Sequence, residues 1–466
     1  MTNTNLIIDF IEKTAGITFG LNKKEELKRL IYEILFIKTW SITEFMANVD
    51  IQKFLNTKLS GNKRFFALKE ILIHLRYPIA SSSEKHFQVY LPRLTPPKYE
   101  YHHDLSVPFK PHNIYIQNKA YHSEIAKRVQ TLFPDAPVIA FSELSDIHHN
   151  PGSMLTDLGK RDLYLVEETF DIIKPCPCTK GAVGCNYFIL NLGFGCPFDC
   201  SYCYLQHYAN APGILLPVNL DSFFKKAEEI LDNAKGRFVR IGTGEFFDSL
   251  GLDHITGYSK HLVEFFRDKD ILFEFKTKSD NIQNLLAVKN PPTNIVISWS
   301  VNPQHIIDSD EYYTASLSQR LSAARKLLDH GYRIAFHFDP IIYYQEWEHD
   351  YFQVIEEIIK ATDGKISWIS MGTLRFYRKL KTIVEQRFPA NRYFYGEFIL
   401  DPQDNKMRYP HIVREMIFRK MMEKIKSLDS HIPVYLCMES PDIWKDVTGH
   451  PVTTQEIESK FKIKTL

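Results

Sequence analysis

Residues 187–206 read YFILNLGFGCPFDCSYCYLQ. A short apolar stretch with strand character runs through a glycine-bearing loop into three cysteines, Cys196, Cys200 and Cys203, at C-x3-C-x2-C spacing. Three thiolates on one tight loop can hold three irons of a cubane [4Fe–4S] cluster and leave the fourth iron without a protein ligand. An open iron can chelate the amino and carboxylate groups of S-adenosylmethionine. One electron from the cluster then splits the sulfonium and releases a 5′-deoxyadenosyl radical. The cofactors carry that chemistry, and the protein places and tunes them. A structural zinc site with His207 as a fourth ligand is the competing metal reading, but zinc knuckles use paired ligands separated by a longer loop. Packing alone is the third reading. It fits poorly, because six of the seven cysteines fall between residues 176 and 203.

Working outward, the pattern alternates strand and helix with regularity. Strands are expected at YFILNLG (187–193), RFVRIGTG (237–244), ILFEFKT (271–277), NIVISWSVN (294–302), RIAFHFDPI (333–341) and KISWISMG (365–372), with PVYLCMES (433–440) as an extension. Helical runs lie between them at 221–233, 255–267, 280–288, 316–331 and 348–362, and another at 414–428. Continuous apolar strands separated by amphipathic helices imply a parallel sheet covered by helices, here an α/β partial (β/α)6 TIM-like barrel. Side chains at the carboxyl ends of such strands line the mouth of the barrel. The chain puts the cysteine loop after the first strand and Gly242, Thr243, Gly244 and Glu245 after the second. Lys276 and Lys278 end the third, and Ser298, Ser300 and Asn302 lie on the fourth.

The remainder divides into a helical N-terminal region (1–95), a proline-bearing linker (96–112) and a small α/β unit (113–175). Residues 176–466 then form the barrel with its C-terminal extension. Lys53 to Arg76 holds six Lys/Arg and one acid, a basic face that could meet a polyanion or simply be solvated. The chain has 466 residues, 44% of them apolar, and a net charge of +1, so its global charge argues neither for nor against nucleic acid. No apolar run approaches a membrane span, and the N-terminus lacks a signal-peptide core; a soluble cytoplasmic protein with no membrane partner is expected. The clustered cysteines look like metal ligation in a reducing compartment.

Tyr202, just before the third cysteine, completes the C-x3-C-x-φ-C form of the radical S-adenosylmethionine superfamily. The stretch CPFDCSYCYLQ, with HNPGSMLTDLGKRDLYLVEET, DSLGLDHITG, FKTKSDNI, WSVN, SLSQRLSAARKLLDHGY and FDPI in order, resembles the spore photoproduct lyase family from about Asn113 to the C-terminus. The resemblance implies a [4Fe–4S] cluster on Cys196, Cys200 and Cys203, S-adenosylmethionine as cofactor, and repair of a thymine dimer in DNA. It also implies a small electron donor such as flavodoxin or ferredoxin. By the same resemblance Lys278 and Ser300 contact the carboxylate and ribose of S-adenosylmethionine, while Tyr202 and Tyr204 relay the radical or wall the site. The family's hydrogen-donor cysteine falls at Glu245, which cannot give a hydrogen atom as a thiol does. GTGE instead resembles the superfamily's Gly-Gly-Glu element, with Gly242 and Gly244 allowing close approach and Glu245 accepting from the methionine ammonium. The donor is then expected elsewhere: at Cys437, or among Cys176, Cys178 and Cys185, which alternatively bind a second metal or only pack. YGEFILDPQDNKMRYP (395–410) reads as a hairpin, like a family element that pries at the duplex. A radical enzyme acting on another nucleotide or a peptide is the alternative function, and a zinc-stabilised nucleic-acid-binding module the last.

Overall fold

The computed structural model describes residues 2–59, 61–84, 89–95, 109–147, 162–168, 172–208, 213–234 and 238–461. Most of the expected linker, and the segment 149–161 of the family-like stretch before the cysteine loop, lie outside them. Two compact units form, Met1–Glu100 with Arg375–Arg414 and Tyr101–Leu374 with Glu415–Leu466.

In chain order the strands are β1 (Ile114–Gln117), β2 (Val138–Phe141), β3 (Leu163–Val166), β4 (Ile173–Pro175), β5 (Tyr187–Leu190) and β6 (Asp199–Cys200). There follow β7 (Ile214–Pro217), β8 (Arg240–Gly242), β9 (Leu272–Thr277), β10 (Ile295–Ser300), β11 (Glu311–Tyr312) and β12 (Arg333–Ile341). The last are β13 (Ile369–Thr373), β14 (Arg375–Tyr377), β15 (Ile399–Leu400), β16 (Lys406–Arg408) and β17 (Val434–Leu436).

The larger unit carries an eight-stranded sheet in the order β17-β13-β12-β10-β9-β8-β5-β4, curled as a half-barrel. All its pairs are parallel except β4 with β5. Ile295, Val296, Ile297 and Trp299 are each fully buried, as a strand covered on both faces requires. Helices Leu220–Asn233, Leu317–His330 and Trp347–Thr362 supply the crossovers. The second of them opens with a capping box of Ser316 and Gln319 and stops at Gly331, whose φ of 111° only glycine adopts readily. The helix expected over 255–267 is split at Gly257 (φ 69°) into Asp253–Thr256 and Tyr258–Phe266, and that expected over 280–288 is one turn, Gln283–Leu286. The small sheet has the order β2-β1-β3-β7 and is wholly parallel, so the expected α/β unit gains a strand from beyond the cysteine loop.

The smaller unit is helical at its N-terminus, with Leu27, Leu30, Ile31, Ile34, Phe45, Leu68 and Leu72 at its centre. The basic face expected from Lys53 to Arg76 is partly internal. Arg76 donates to the buried Glu33 carboxylate at 2.5 Å, Arg64 donates to the carbonyl of Thr57 at 2.8 Å, and Lys69 pairs with Glu26 at 2.6 Å. Glu33 also takes Arg29 and Lys381, each at 2.7 Å. A fully buried carboxylate has to be matched by cations, and Lys381 is one reason why Arg375–Arg414, read above with the barrel, gathers with the N-terminal helices. The expected hairpin forms: β15 pairs antiparallel with β16, and Asp401 N–H donates to the Lys406 carbonyl at 2.8 Å.

Candidate active site around the three-cysteine loop

The loop after β5 is held by its own backbone and by two neighbours. Gly195, at φ 80°, permits the turn into Cys196. Cys203 N–H donates to the Cys200 carbonyl at 3.2 Å, and Gln206 Nε2 donates to Asp199 Oδ1 at 2.7 Å and to the Cys200 carbonyl at 3.0 Å. The two-residue strand β6 pairs antiparallel with β11, setting Cys200 opposite Glu311. Ser201 N–H donates to the Asp310 carbonyl at 2.8 Å, and its hydroxyl donates to the Asp310 carboxylate. On the other side, a Cβ on Gly251 would stand 3.0 Å from Pro197 and 3.1 Å from Phe198, so the DSLG turn lies flat against the loop.

The three thiols interact with one another electrostatically, Cys196 with Cys203 and Cys200 with both. Among the described residues no set of three His or Cys ligand atoms lies within 4.8 Å of one another. A single zinc with 2.3 Å bonds needs its sulfurs about 3.8 Å apart. Three cysteines on one loop supply the three-thiolate ligation of a cluster. Burial first, and Asp248 second, push the Cys196 thiol well above its ordinary value; burial and Glu311 do the same to Cys200. Thiolates at such positions need the compensating charge that a metal provides.

Two groups of residues flank the loop. On one flank the Tyr202 hydroxyl donates to Glu311 Oε1, and Asn302 Nδ2 donates to the same oxygen at 2.8 Å and to the phenol oxygen at 3.1 Å. Arg320 meets Glu311 Oε2 at 2.5 Å, and Lys278 Nζ stands 3.7 Å from Oε1. Burial opposes the Glu311 charge, but Arg320 and then Lys278 outweigh it and hold the carboxyl down to about 2. Burial, reinforced by that carboxylate, holds the Tyr202 phenol well above its usual value. Tyr202 is thus a neutral donor to a fixed anion. Tyr351 donates to Asn302 Oδ1 at 2.7 Å and anchors the amide in this orientation.

On the other flank the Tyr204 hydroxyl donates to the Glu245 carbonyl at 2.8 Å. Burial first and Glu245 next push its phenol up, with Cys203 and Cys196 adding to the effect. The GTGE turn is built by close approach. A Cβ on Gly242 would lie 1.9 Å from the Tyr187 hydroxyl oxygen, and one on Gly244, at φ 97°, 2.6 Å from the Lys276 carbonyl. Asp248 secures the following turn, accepting from Leu250 N–H at 3.0 Å, Gly251 N–H at 2.8 Å, Thr277 Oγ1 at 2.6 Å and Lys278 N–H at 2.8 Å.

Residues 109–433 match the family described as spore photoproduct lyase. The chain belongs to the spore photoproduct lyase family. The spore photoproduct lyase of Geobacillus sp. (strain Y412MC61) is 30% identical over 254 residues, 52% of this chain and 72% of that protein. That of Bacillus subtilis (strain 168) is 25% identical over 347 residues, 70% and 96% of the two chains. A solved spore photoproduct lyase complexed with dinucleoside spore photoproduct superposes with a TM-score of 0.62 at 25% identity, covering 71% of this chain and all of that one.

Within this family frame, Cys196, Cys200, Cys203, Tyr202, Tyr204, Glu245 and Lys278 are gathered about one loop. Ser300 ends β10, buried, with its carbonyl accepting from Arg320 at 2.8 Å. Cys437 follows β17 at one margin of the sheet, with its N–H on the Met371 carbonyl at 2.7 Å. Sequence reasoning missed Glu311 and Arg320. Arg320 is the first of two arginines in the quoted SLSQRLSAARK segment, where helical periodicity makes it look like one more solvated charge. Its full burial on the barrel-facing side of the helix is the signal that a sequence does not carry.

Proposed function

We propose that this chain is a radical S-adenosylmethionine lyase that reverses a covalent thymine photolesion in DNA. Family membership carries the reading, and the solved relative bound to dinucleoside spore photoproduct supports the substrate class. Cys196, Cys200 and Cys203 would hold a [4Fe–4S] cluster, which when bound supplies an electron to S-adenosylmethionine and thereby a 5′-deoxyadenosyl radical for hydrogen abstraction. A flavodoxin- or ferredoxin-like protein delivers that electron. Gly242 and Gly244 leave backbone room for the methionine end, Glu245 accepts from its ammonium, Lys278 meets its carboxylate and Ser300 its ribose. Tyr202 and Tyr204 carry the radical back after fragmentation. For Tyr202 the Glu311 carboxylate is a ready proton acceptor, so the phenol can lose its electron and proton together without a buried cation forming.

The deciding assay is anaerobic: reconstituted protein, S-adenosylmethionine, reductant and the dinucleoside spore photoproduct. The expected result is conversion to two thymidine units, abolished by Tyr202→Phe while S-adenosylmethionine cleavage persists. Release of 5′-deoxyadenosine with the lesion untouched would move the enzyme to another nucleotide or peptide substrate. Glu245, standing where the resemblance places a thiol, favours that second reading.

Glu245→Gln is expected to weaken S-adenosylmethionine binding by about 1.5–3 kcal/mol, roughly 10- to 150-fold in Kd. Equilibrium binding to the reconstituted enzyme measures it. Unchanged affinity with lost turnover would shift Glu245 from the cofactor to the substrate.

A further inference from the structure

Four cysteines outside the cluster loop come from opposite margins of the curled sheet. Cys176 follows β4, one margin, and its N–H donates to the Tyr187 carbonyl at 2.8 Å. Cys178 N–H turns back to the Cys176 carbonyl at 2.7 Å, and the two sulfurs lie 3.8 Å apart. Cys185 closes the same loop two residues before β5. Cys437 follows β17, the other margin, with its N–H on the Met371 carbonyl at 2.7 Å. The margins meet here: Val183 N–H donates to the Glu439 carbonyl at 3.0 Å, tying the 176–186 loop to the segment that carries Cys437. The neighbouring Cys178 thiol first, then burial, and then Cys437 and Cys185 push the Cys176 thiol up.

Beside them is an unusual cation. Arg240 is 1% exposed and boxed by the rings of Tyr187, Trp368, Tyr435 and Phe461, 4.2–5.6 Å from its guanidinium carbon. Nη2 reaches Glu274 at 2.6 Å and the Tyr435 hydroxyl at 3.3 Å, while Nε and Nη1 have no hydrogen-bond partner among the described residues. Arg240 also acts on Cys185. Glu274 supplies one carboxylate to this guanidinium, and thiolates on a metal would add negative charge on the side where Nε and Nη1 have no acceptor.

We propose that Cys176, Cys178, Cys185 and Cys437 ligate a second iron–sulfur cluster that closes the gap between the two margins of the half-barrel. The Cys176–Cys178 separation suits two thiolates on one tetrahedral metal, about 3.8 Å for 2.3 Å bonds. Four cysteine thiolates are the ligand set of an iron–sulfur cluster, and the Cys176–Cys178 pair at 3.8 Å would sit on one of its irons. Cys437 then has no S–H to give, and the hydrogen donor expected there must be another group.

Metal counting on the full chain tests this independently of turnover. After anaerobic reconstitution with iron and sulfide, the Cys196→Ala/Cys200→Ala/Cys203→Ala variant should retain about two to four irons per chain, with matching sulfide. Adding Cys178→Ser and Cys185→Ser should remove them. Should the triple variant misfold, Cys178→Ser/Cys185→Ser alone should lower the iron of the otherwise unaltered chain by the same amount and keep the S-adenosylmethionine-responsive EPR signal. A folded triple variant with no iron, or with zinc only, overturns the proposal. So does a Cys437→Ala chain with unchanged iron that consumes S-adenosylmethionine yet yields no repaired product, the mark of a free thiol donor.

Discussion

Replacing Cys196, Cys200 or Cys203 with alanine should bring 5′-deoxyadenosine release down to the protein-free control. Two thiolates cannot hold a cubane with one open iron against solvent, and without that iron S-adenosylmethionine has nothing to chelate. The fold should survive. The loop keeps Cys203 N–H on the Cys200 carbonyl, Ser201 N–H on the Asp310 carbonyl and Gln206 on Asp199, and none of these involves a sulfur. Circular dichroism and the urea midpoint should therefore move little while the S-adenosylmethionine-dependent change in the EPR spectrum of the reduced protein disappears. Any of the three variants that still cleaves S-adenosylmethionine at the parent rate would remove that cysteine from the ligand set.

Arg320→Met should destabilise the larger unit by about 3–5 kcal/mol, the usual consequence of stripping one partner from a buried ion pair. The substitution removes the 2.5 Å contact with Glu311 and the bonds to the Ala315 and Ser300 carbonyls, both 2.8 Å. Glu311 would be left fully buried with Asn302, Tyr202 and the more distant Lys278. Its depressed titration would relax upward, because the cation that holds it down most strongly is gone. Urea unfolding followed through this unit measures the effect, and Glu311→Gln added to Arg320→Met should recover much of the loss, because the stranded charge is then gone. A loss below about 1 kcal/mol in the single variant, the size typical of an exposed pair, would mean that Arg320 does not carry the charge of this network.

The two variants also separate what could be read from the chain and what could not. Apolar runs at 187–193, 271–277, 294–302 and 333–341 marked β5, β9, β10 and β12 because strand burial on both faces leaves a continuous local pattern. The cysteine triplet stood out through its spacing alone. β8 came out shorter than 237–244 suggested, and the strand β7 was not expected. ILLP is four residues between loop-forming neighbours, and only its parallel pairing with β3 makes it a strand.

Composition, periodicity and cysteine spacing therefore determined by themselves a half-barrel of parallel strands with a three-thiol loop after its first parallel strand. Tertiary structure alone decided that Glu311 and Arg320 stand behind Tyr202, and that the 176–186 loop meets the segment carrying Cys437 across the sheet margins. The physical reason is range. Helix and strand signals repeat every few residues, whereas Tyr202 and Glu311 are brought together by a two-residue antiparallel pairing between segments more than a hundred residues apart, which leaves no periodic trace.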